Sequence, residues 1–373
     1  MRAASPAERE RLNETFAALC RIPSVSGDEA ACAAQVAQEL RGMGLDVEGD
    51  EHGNLLARIP GRRPGWVMLC AHLDTVALTA PVKPVVVDDG WENANDGIIG
   101  ADNKAAVAVL LEVARRCAVE GAPVGVELLF TVSEEVGLVG ARAFDRSRSQ
   151  AAFAFVFDHA TPIGEVIVAS PTLFDLEVEF RGRAAHAGIC PEEGRNAIVA
   201  AARAITAIPQ GRLDAETTVN VGGIRGGSGS TNVVAERCHV SLETRSITPA
   251  RVEEVIAGIV DALHDAANAA DCDVDVVCEK RFDAYRHRPG SPAIAAAEAA
   301  LRACGYEPRR VVSGGGSDAN AFEVAGLHCV NVANGTERAH EPAERVAVAA
   351  LEGMLDVVLA LVEESAARVP ADG

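Results

Sequence analysis

Short apolar runs that end at acidic or imidazole side chains constrain this chain more than any other feature. WVMLC (66–70) is followed by His72 and Asp74, VELLFTV (126–132) by Ser133, Glu134 and Glu135, and FAFVF (153–157) by Asp158 and His159. LHCVNV (327–332) leads into a loop that contains His340. Runs of this length, rich in Val, Leu and Phe, read as strands buried on both faces. Between and before them lie segments with helical spacing, from Glu8 to Cys20, Glu29 to Met43 and Lys104 to Val119, and a long helix from Ala343 to Glu364 closes the chain. The alternation predicts an α/β fold, a mixed sheet flanked by helices.

The pattern changes near residue 172. FDLEVEF (174–180) alternates apolar and acidic residues, the mark of a strand with one solvated face. From there the order reads strand, helix (196–208), strand (217–221), strand (233–242), helix (249–267), strand (274–278). That βαββαβ order matches a ferredoxin-like α+β unit. A chain of 373 residues is long enough for two domains. The expected organisation is a discontinuous catalytic domain, 1–171 and 287–373, interrupted by an inserted domain at 172–286.

Charge and cysteine usage narrow the function. The formal net charge is −20, with no basic stripe, which argues against nucleic acid as a partner. The ten cysteines form no CxxC pair and most sit in apolar runs, so they read as core thiols in a reducing compartment. With a charged N-terminus that lacks an apolar signal core and no membrane-length apolar run, the chain reads as cytoplasmic and not membrane-bound. GGIRGGSGST (222–231) has glycines but lacks the lysine and the strand-to-helix setting of a phosphate loop.

Sites in open α/β sheets form at the carboxyl ends of strands. Four such ends here deliver His72, Glu134 with Glu135, Asp158 and His340, and Asp102 stands just before a helix. Carboxylates crowded together repel one another, and divalent cations relieve that repulsion. Imidazole and carboxylate without thiolate suits zinc, with cobalt or manganese as substitutes. The donors exceed what one catalytic ion needs, so two ions sharing a carboxylate fit better. Asp74, two residues beyond His72, is spaced to hold the imidazole, and adjacent Glu134 and Glu135 invite different tasks, one on metal and one moving a proton.

Taken together, AHLDTV (71–76), GADNKAA (100–106), SEEVGLVGA (133–141), FDHA (157–160), RAAHAG (183–188), SGGGSDANAF (313–322) and AHE (339–341) resemble the di-zinc peptidase family that includes peptidase T, glutamate carboxypeptidase and aminoacylase. The match runs in order along almost the whole chain, and the glycine-rich segment is similar to the peptidase T side. FDHA departs from the family in having no glycine after Asp158, and the chain is shorter than typical peptidase T members. The resemblance implies two Zn2+ per subunit, His72 and Asp158 on one, Glu135 and His340 on the other, with Asp102 bridging. It implies Asp74 as the residue orienting His72, Glu134 as general base, and a cis peptide after Asp102.

In the inserted domain, called a lid and dimerisation domain by the resemblance, the histidine matching His186 reaches across a homodimer to the reaction's oxyanion. Asn232 and Arg245 match substrate-contacting positions, the arginine suited to a carboxylate, with a structural ion pair as its plain alternative. The backbone around Gly315 could hold a substrate terminus with Ser317 and Asp318 alongside. Its alternative is a simple turn into a helix capped by Asp318. The function implied is a peptidase T-like aminopeptidase acting on short peptides. N-acyl-amino-acid deacylase and carboxypeptidase use the same centre, and a non-catalytic peptide- or metal-binding homologue is the rival of another class.

Overall fold

The computed structural model describes residues 2–370. The chain forms two compact units. One comprises the chain up to Val168, then His287–Ser313 and the chain from Ser317 onward; the other is Ala169–Arg286 together with Gly314–Gly316.

In the larger unit the four apolar runs become adjacent strands in the order Ala122–Thr131, Gly61–His72, Phe153–His159, Cys329–Ala333, and all three pairings are parallel. Antiparallel strands flank this core, Leu55–Ile59 on one side and Glu165–Ser170 on the other. The sheet is therefore mixed, and its parallel centre is buried on both faces, as the uninterrupted apolar runs require. The helix Ala101–Glu120 is buried on nearly every side, which its Ala and Val content permits by keeping the helix thin. Pro6–Cys20 packs on it with a complete capping box between Ser5 and Glu8. Two ion pairs tie these helices together, the first buried: Arg116 Nη2 lies 2.6 Å from Glu8 Oε2, and Arg11 Nη2 2.5 Å from Glu112 Oε1.

The last helix begins later than expected, at Val348, because Arg345–Ala347 is a short strand paired with Gly90–Asn93. Isolated three-residue strands carry no periodicity of their own, so the helical pattern after them absorbed this one.

The smaller unit is a five-stranded antiparallel sheet, ordered Gly211–Asp214, Thr217–Gly226, Arg237–Ser246, Thr172–Arg181, Asp273–Phe282. Helices Ala197–Ala207 and Pro249–Ala269 cover one face through a core that includes Leu176, Val178, Phe180, Val240 and Leu263. The expected βαββαβ order gains an edge strand, Gly211–Asp214, whose GRLD sequence shows no alternation. The strand expected at 233–242 instead starts at Arg237; Val233 is exposed and makes only an isolated bridge to His186. Gly314–Gly316 groups with this unit for a packing reason. A Cβ at Gly316 would lie 2.3 Å from Phe282 Cζ, and Gly315 O accepts from Ser170 Oγ at 2.9 Å.

Candidate metal centre

The parallel strands end at one edge of the sheet and bring their terminal side chains together. His72 is the last residue of its strand, Glu134 and Glu135 follow Thr131 by three and four positions, and Asp158 lies at the end of Phe153–His159. Asp102 enters from the start of Ala101–Glu120, where its backbone and that of Asn103 are non-helical and the peptide between them is cis. His340 sits in the loop before Arg345–Ala347 at φ 68°.

The decisive geometry is at Asp102. His72 Nε2 is 3.2 Å from its Oδ1, and His340 Nε2 is 3.5 Å from its Oδ2, so one carboxylate turns a different oxygen toward each imidazole. On the first side Asp158 Oδ1 is 3.5 Å from His72 Nε2; on the second Glu135 Oε1 is 3.0 Å from His340 Nε2. Glu134 lies with His72 and Asp158 in one group of donor atoms within 4.8 Å of one another, and Glu135 lies with His72 and Asp102 in another. Tetrahedral zinc with bonds of about 2.0–2.1 Å sets its ligand atoms about 3.3 Å apart. The four nitrogen–oxygen separations bracket that value, so the donor set fits two divalent cations on either side of Asp102.

Asp74 has a wider task than orienting an imidazole. Its Oδ1 is 3.3 Å from His72 Nδ1, whose other neighbour is the Asp74 carbonyl at 3.1 Å. Both neighbours are acceptors, so Nδ1 carries a hydrogen, the arrangement that would leave Nε2 to serve a bound cation. The same carboxylate accepts from the backbone N–H groups of Glu134 (3.0 Å) and Glu135 (3.1 Å) and from Ser26 Oγ (2.7 Å). One fully buried aspartate therefore fixes the histidine and the turn that aims both glutamates.

Burial and crowding set the electrostatics of the cluster. Burial, reinforced by Asp158, Asp318 and Glu135, pushes the Glu134 carboxyl well above its usual range. Burial and then Asp102 do the same to Asp158. Burial works against charge on His72, but Asp158, Asp102 and Asp74 outweigh it and hold the imidazole well above its ordinary value. His340, bonded to Asp102 and Glu135, rises to about 10. Crowded, buried carboxylates resist ionising together, and divalent cations would relieve that repulsion.

The expected substrate residues fare unevenly. In the smaller unit, His186 and Asn232 are exposed, and backbone bonds bring their segments together: Ala187 N donates to Asn232 O at 2.9 Å, and Val234 N to Ala185 O at 2.9 Å. The Arg245 fork is already engaged. Its Nε and Nη2 each lie 2.9 Å from a Glu243 oxygen, and Nη1 donates to Gly314 O at 3.2 Å. The glycine segment does lead into a helix, Asp318–Val324, but Ser317 is the capping residue and Asp318 the first helical one. Ser317 N donates to Asn320 Oδ1 within the cap. Asp318 is buried rather than presented to a ligand: its Oδ2 accepts from Thr131 Oγ1 at 2.5 Å, and burial raises its carboxyl to about 6. Ser317 and Asp318 are both capping residue types; the serine takes the cap and leaves the aspartate to the interior.

With this geometry in place, comparison with known proteins is informative. Residues 168–271 match the model of the peptidase dimerisation domain, and residues 54–186 match that of peptidase family M28. The YqjE protein of Bacillus subtilis is 33% identical, covering 96% of this chain and 99% of its own. The structure of aminopeptidase PepT from Bacillus cereus superposes with a TM-score of 0.85 at 32% identity, over 96% of this chain and 99% of that one. The chain belongs to the peptidase T family of metallopeptidases. A tripeptidase from Staphylococcus aureus has the same architecture, with a TM-score of 0.91 at 29% identity over 96% and 99% of the two chains.

In this metallopeptidase several residues that sequence reasoning passed over support the centre. Glu344 is buried and accepts from Gly100 N at 2.6 Å and Asp102 N at 3.1 Å; burial raises its carboxyl to about 7. Glu29 Oε1 accepts from the Ser133 N–H and hydroxyl, and Asn331 brackets the Asp158 backbone with 3.0 Å bonds to its N–H and carbonyl. Their distance in sequence from the groups they hold hides them. His159, the departure from the family pattern after Asp158, turns to Glu165 Oε2 at 3.1 Å and stays out of the donor set.

Proposed function

We propose that this metallopeptidase is a di-zinc aminopeptidase that releases the N-terminal residue of short peptides. The observation that carries the reading is Asp102 facing two imidazoles with its two oxygens, with Glu134 beside them. His72 and Asp158 would hold one ion, Glu135 and His340 the other, and Asp102 both. When bound, such ions lower the pKa of water and polarise a carbonyl. Asp74 keeps His72 in the tautomer that offers Nε2 and holds the backbone from which Glu134 projects. Glu134 is then free of the ligand set and accepts the proton of the attacking water, later returning it to the leaving amine. Outside the larger unit, His186 acts as a hydrogen-bond donor to the developing oxyanion in a homodimer, and Asn232 and Arg245 contact the substrate. The exchange of Glu243 for a substrate carboxylate on the Arg245 fork would be the recognition event.

A tripeptide offered with free ends, with a blocked amine and with a blocked carboxylate tests this. Cleavage of the free-ended and carboxyl-blocked forms, with none of the amine-blocked form, is expected. Preference for the amine-blocked form with a free carboxylate would replace the reading with a carboxypeptidase or an N-acyl-amino-acid deacylase. Sedimentation gives the oligomeric state, and a fully active monomer would remove His186 from the mechanism.

A further inference from the structure

A second group of metal-type donors lies in the larger unit, apart from the centre described above: His287, Glu323 and His328, whose donor atoms fall within 4.8 Å of one another. They come from three places in the chain. His287 is the first residue of the larger unit after the smaller one closes, Glu323 is on the helix Asp318–Val324, and His328 immediately precedes the strand Cys329–Ala333. Both imidazoles turn Nδ1 toward the same carboxylate oxygen: His328 Nδ1 is 2.8 Å and His287 Nδ1 3.6 Å from Glu323 Oε1. These values lie on either side of the roughly 3.3 Å ligand spacing of tetrahedral zinc.

The surroundings are those of a held ligand set. Ser291 Oγ lies 2.5 Å from His328 Nε2, so the nitrogen away from the cluster has its own partner and the ring is fixed. Cys329 N donates to Glu323 Oε1 at 2.7 Å, fixing the carboxylate. The rings of His287 and His328 meet edge to face with centroids 4.5 Å apart, which keeps both against Glu323. The His287 side chain is 1% exposed while that of His328 is 31% exposed, so the cluster is buried on one side and open to solvent on the other. An incoming ion could reach it and keep water on its fourth position.

We infer that His287, Glu323 and His328 form a separate binding site for a single divalent transition-metal ion, zinc by its two-imidazole, one-carboxylate chemistry. It would pin the junction between the helix that begins at Asp318 and the strand that carries Asn331, and so support the larger unit where the chain re-enters it. The site does not depend on the two-ion reading of Asp102.

The test keeps the two sites apart. Asp102→Asn, which disables the main centre, is compared with Asp102→Asn/His328→Ala and Asp102→Asn/Glu323→Gln. Each is stripped with chelator, reloaded with Zn2+ and, separately, Co2+, gel-filtered and analysed by elemental mass spectrometry. The expected result is that both double variants carry one ion per chain less than Asp102→Asn. The Co2+ form of the parent should also show visible absorption of a low-coordinate nitrogen–oxygen site that the double variants lack. Glu323→Gln preserves the shape and the Cys329 contact, so a folded double variant by circular dichroism keeps the comparison valid if His328→Ala misfolds. Equal metal content in parent and double variants would overturn the proposal. So would a lowered melting temperature in metal-free Glu323→Gln with no ion bound by the parent, because a Ser291–His328–Glu323 hydrogen-bond relay alone would then account for the cluster.

Discussion

Replacing Asp74 by Asn removes one negative charge while changing almost no volume, and the structure sets the size of the effect. The carboxylate accepts from four donors: His72 Nδ1, the backbone N–H of Glu134 and of Glu135, and Ser26 Oγ. An amide has one oxygen and presents N–H groups on its other side. It can serve Ser26 with Glu135 or His72 with Glu134, leaving at least one buried N–H facing another N–H. An unsatisfied buried donor costs about 1–3 kcal/mol, and the lost charge assistance adds to this, so we expect about 2–4 kcal/mol of destabilisation in the metal-free protein. Loss of the partner that fixes His72 should also weaken metal binding by about 10–100-fold. Urea unfolding of the stripped protein reads the first quantity and calorimetric titration with Zn2+ the second. Burial alone would raise the Asp74 carboxyl, yet His72 and the other donors keep it below its ordinary value. Its contribution is therefore present above about pH 4 and is lost as pH falls through the depressed folded value, so variant and parent should converge in acid. A variant within 0.5 kcal/mol of the parent at neutral pH, with metal affinity changed less than about twofold, would refute the role given to Asp74.

Glu134→Gln should lower kcat by about 10²–10⁴-fold with metal content unchanged, measured by peptide hydrolysis and elemental analysis on the same preparation. Loss of metal together with activity would move Glu134 into the ligand set. Arg116→Met should cost about 3 kcal/mol at neutral pH by leaving Glu8 buried without its guanidinium. Burial raises Glu8, but Arg116 and Ser5 outweigh it and bring it to about 2, so this contribution is complete above pH 4.5 and disappears as pH falls toward 2. Unfolding curves for parent and variant between pH 7 and 2.5 should close on each other; a constant gap would show that packing, not the ion pair, is responsible. Glu344→Gln should shift the Zn2+ titration without abolishing activity, since one amide oxygen can still accept from either Gly100 or Asp102; unchanged binding would show that the turn holds itself.

The parallel core and the donors at its strand ends were legible because the apolar runs are short and rich in Val, Leu and Phe, which favours buried strands over helices, and each run leads straight into its polar residues. What escaped was held by contacts across the sequence. Glu29, Asn331 and Glu344 are polar residues without local pattern, and their importance arises from the backbone groups they meet 104 or more positions away. Val233 and Val234 looked like the start of a strand because two adjacent β-branched residues favour one; their place beside the His186 segment overrode that preference. Arg245 shows the limit of reading a guanidinium from sequence: its partner Glu243 is two residues away on the same strand face, visible once the strand is extended and easily missed as mere charge alternation.

The most direct test of the account is hydrolysis of one free-ended tripeptide by protein stripped of metal, with removal verified by elemental analysis, before and after Zn2+ is restored. The parent should show no cleavage without metal and recovery on reloading, and Asp102→Asn no cleavage in either state. An undiminished rate in verified metal-free protein would contradict the claim that the cluster around Asp102 is the catalytic centre.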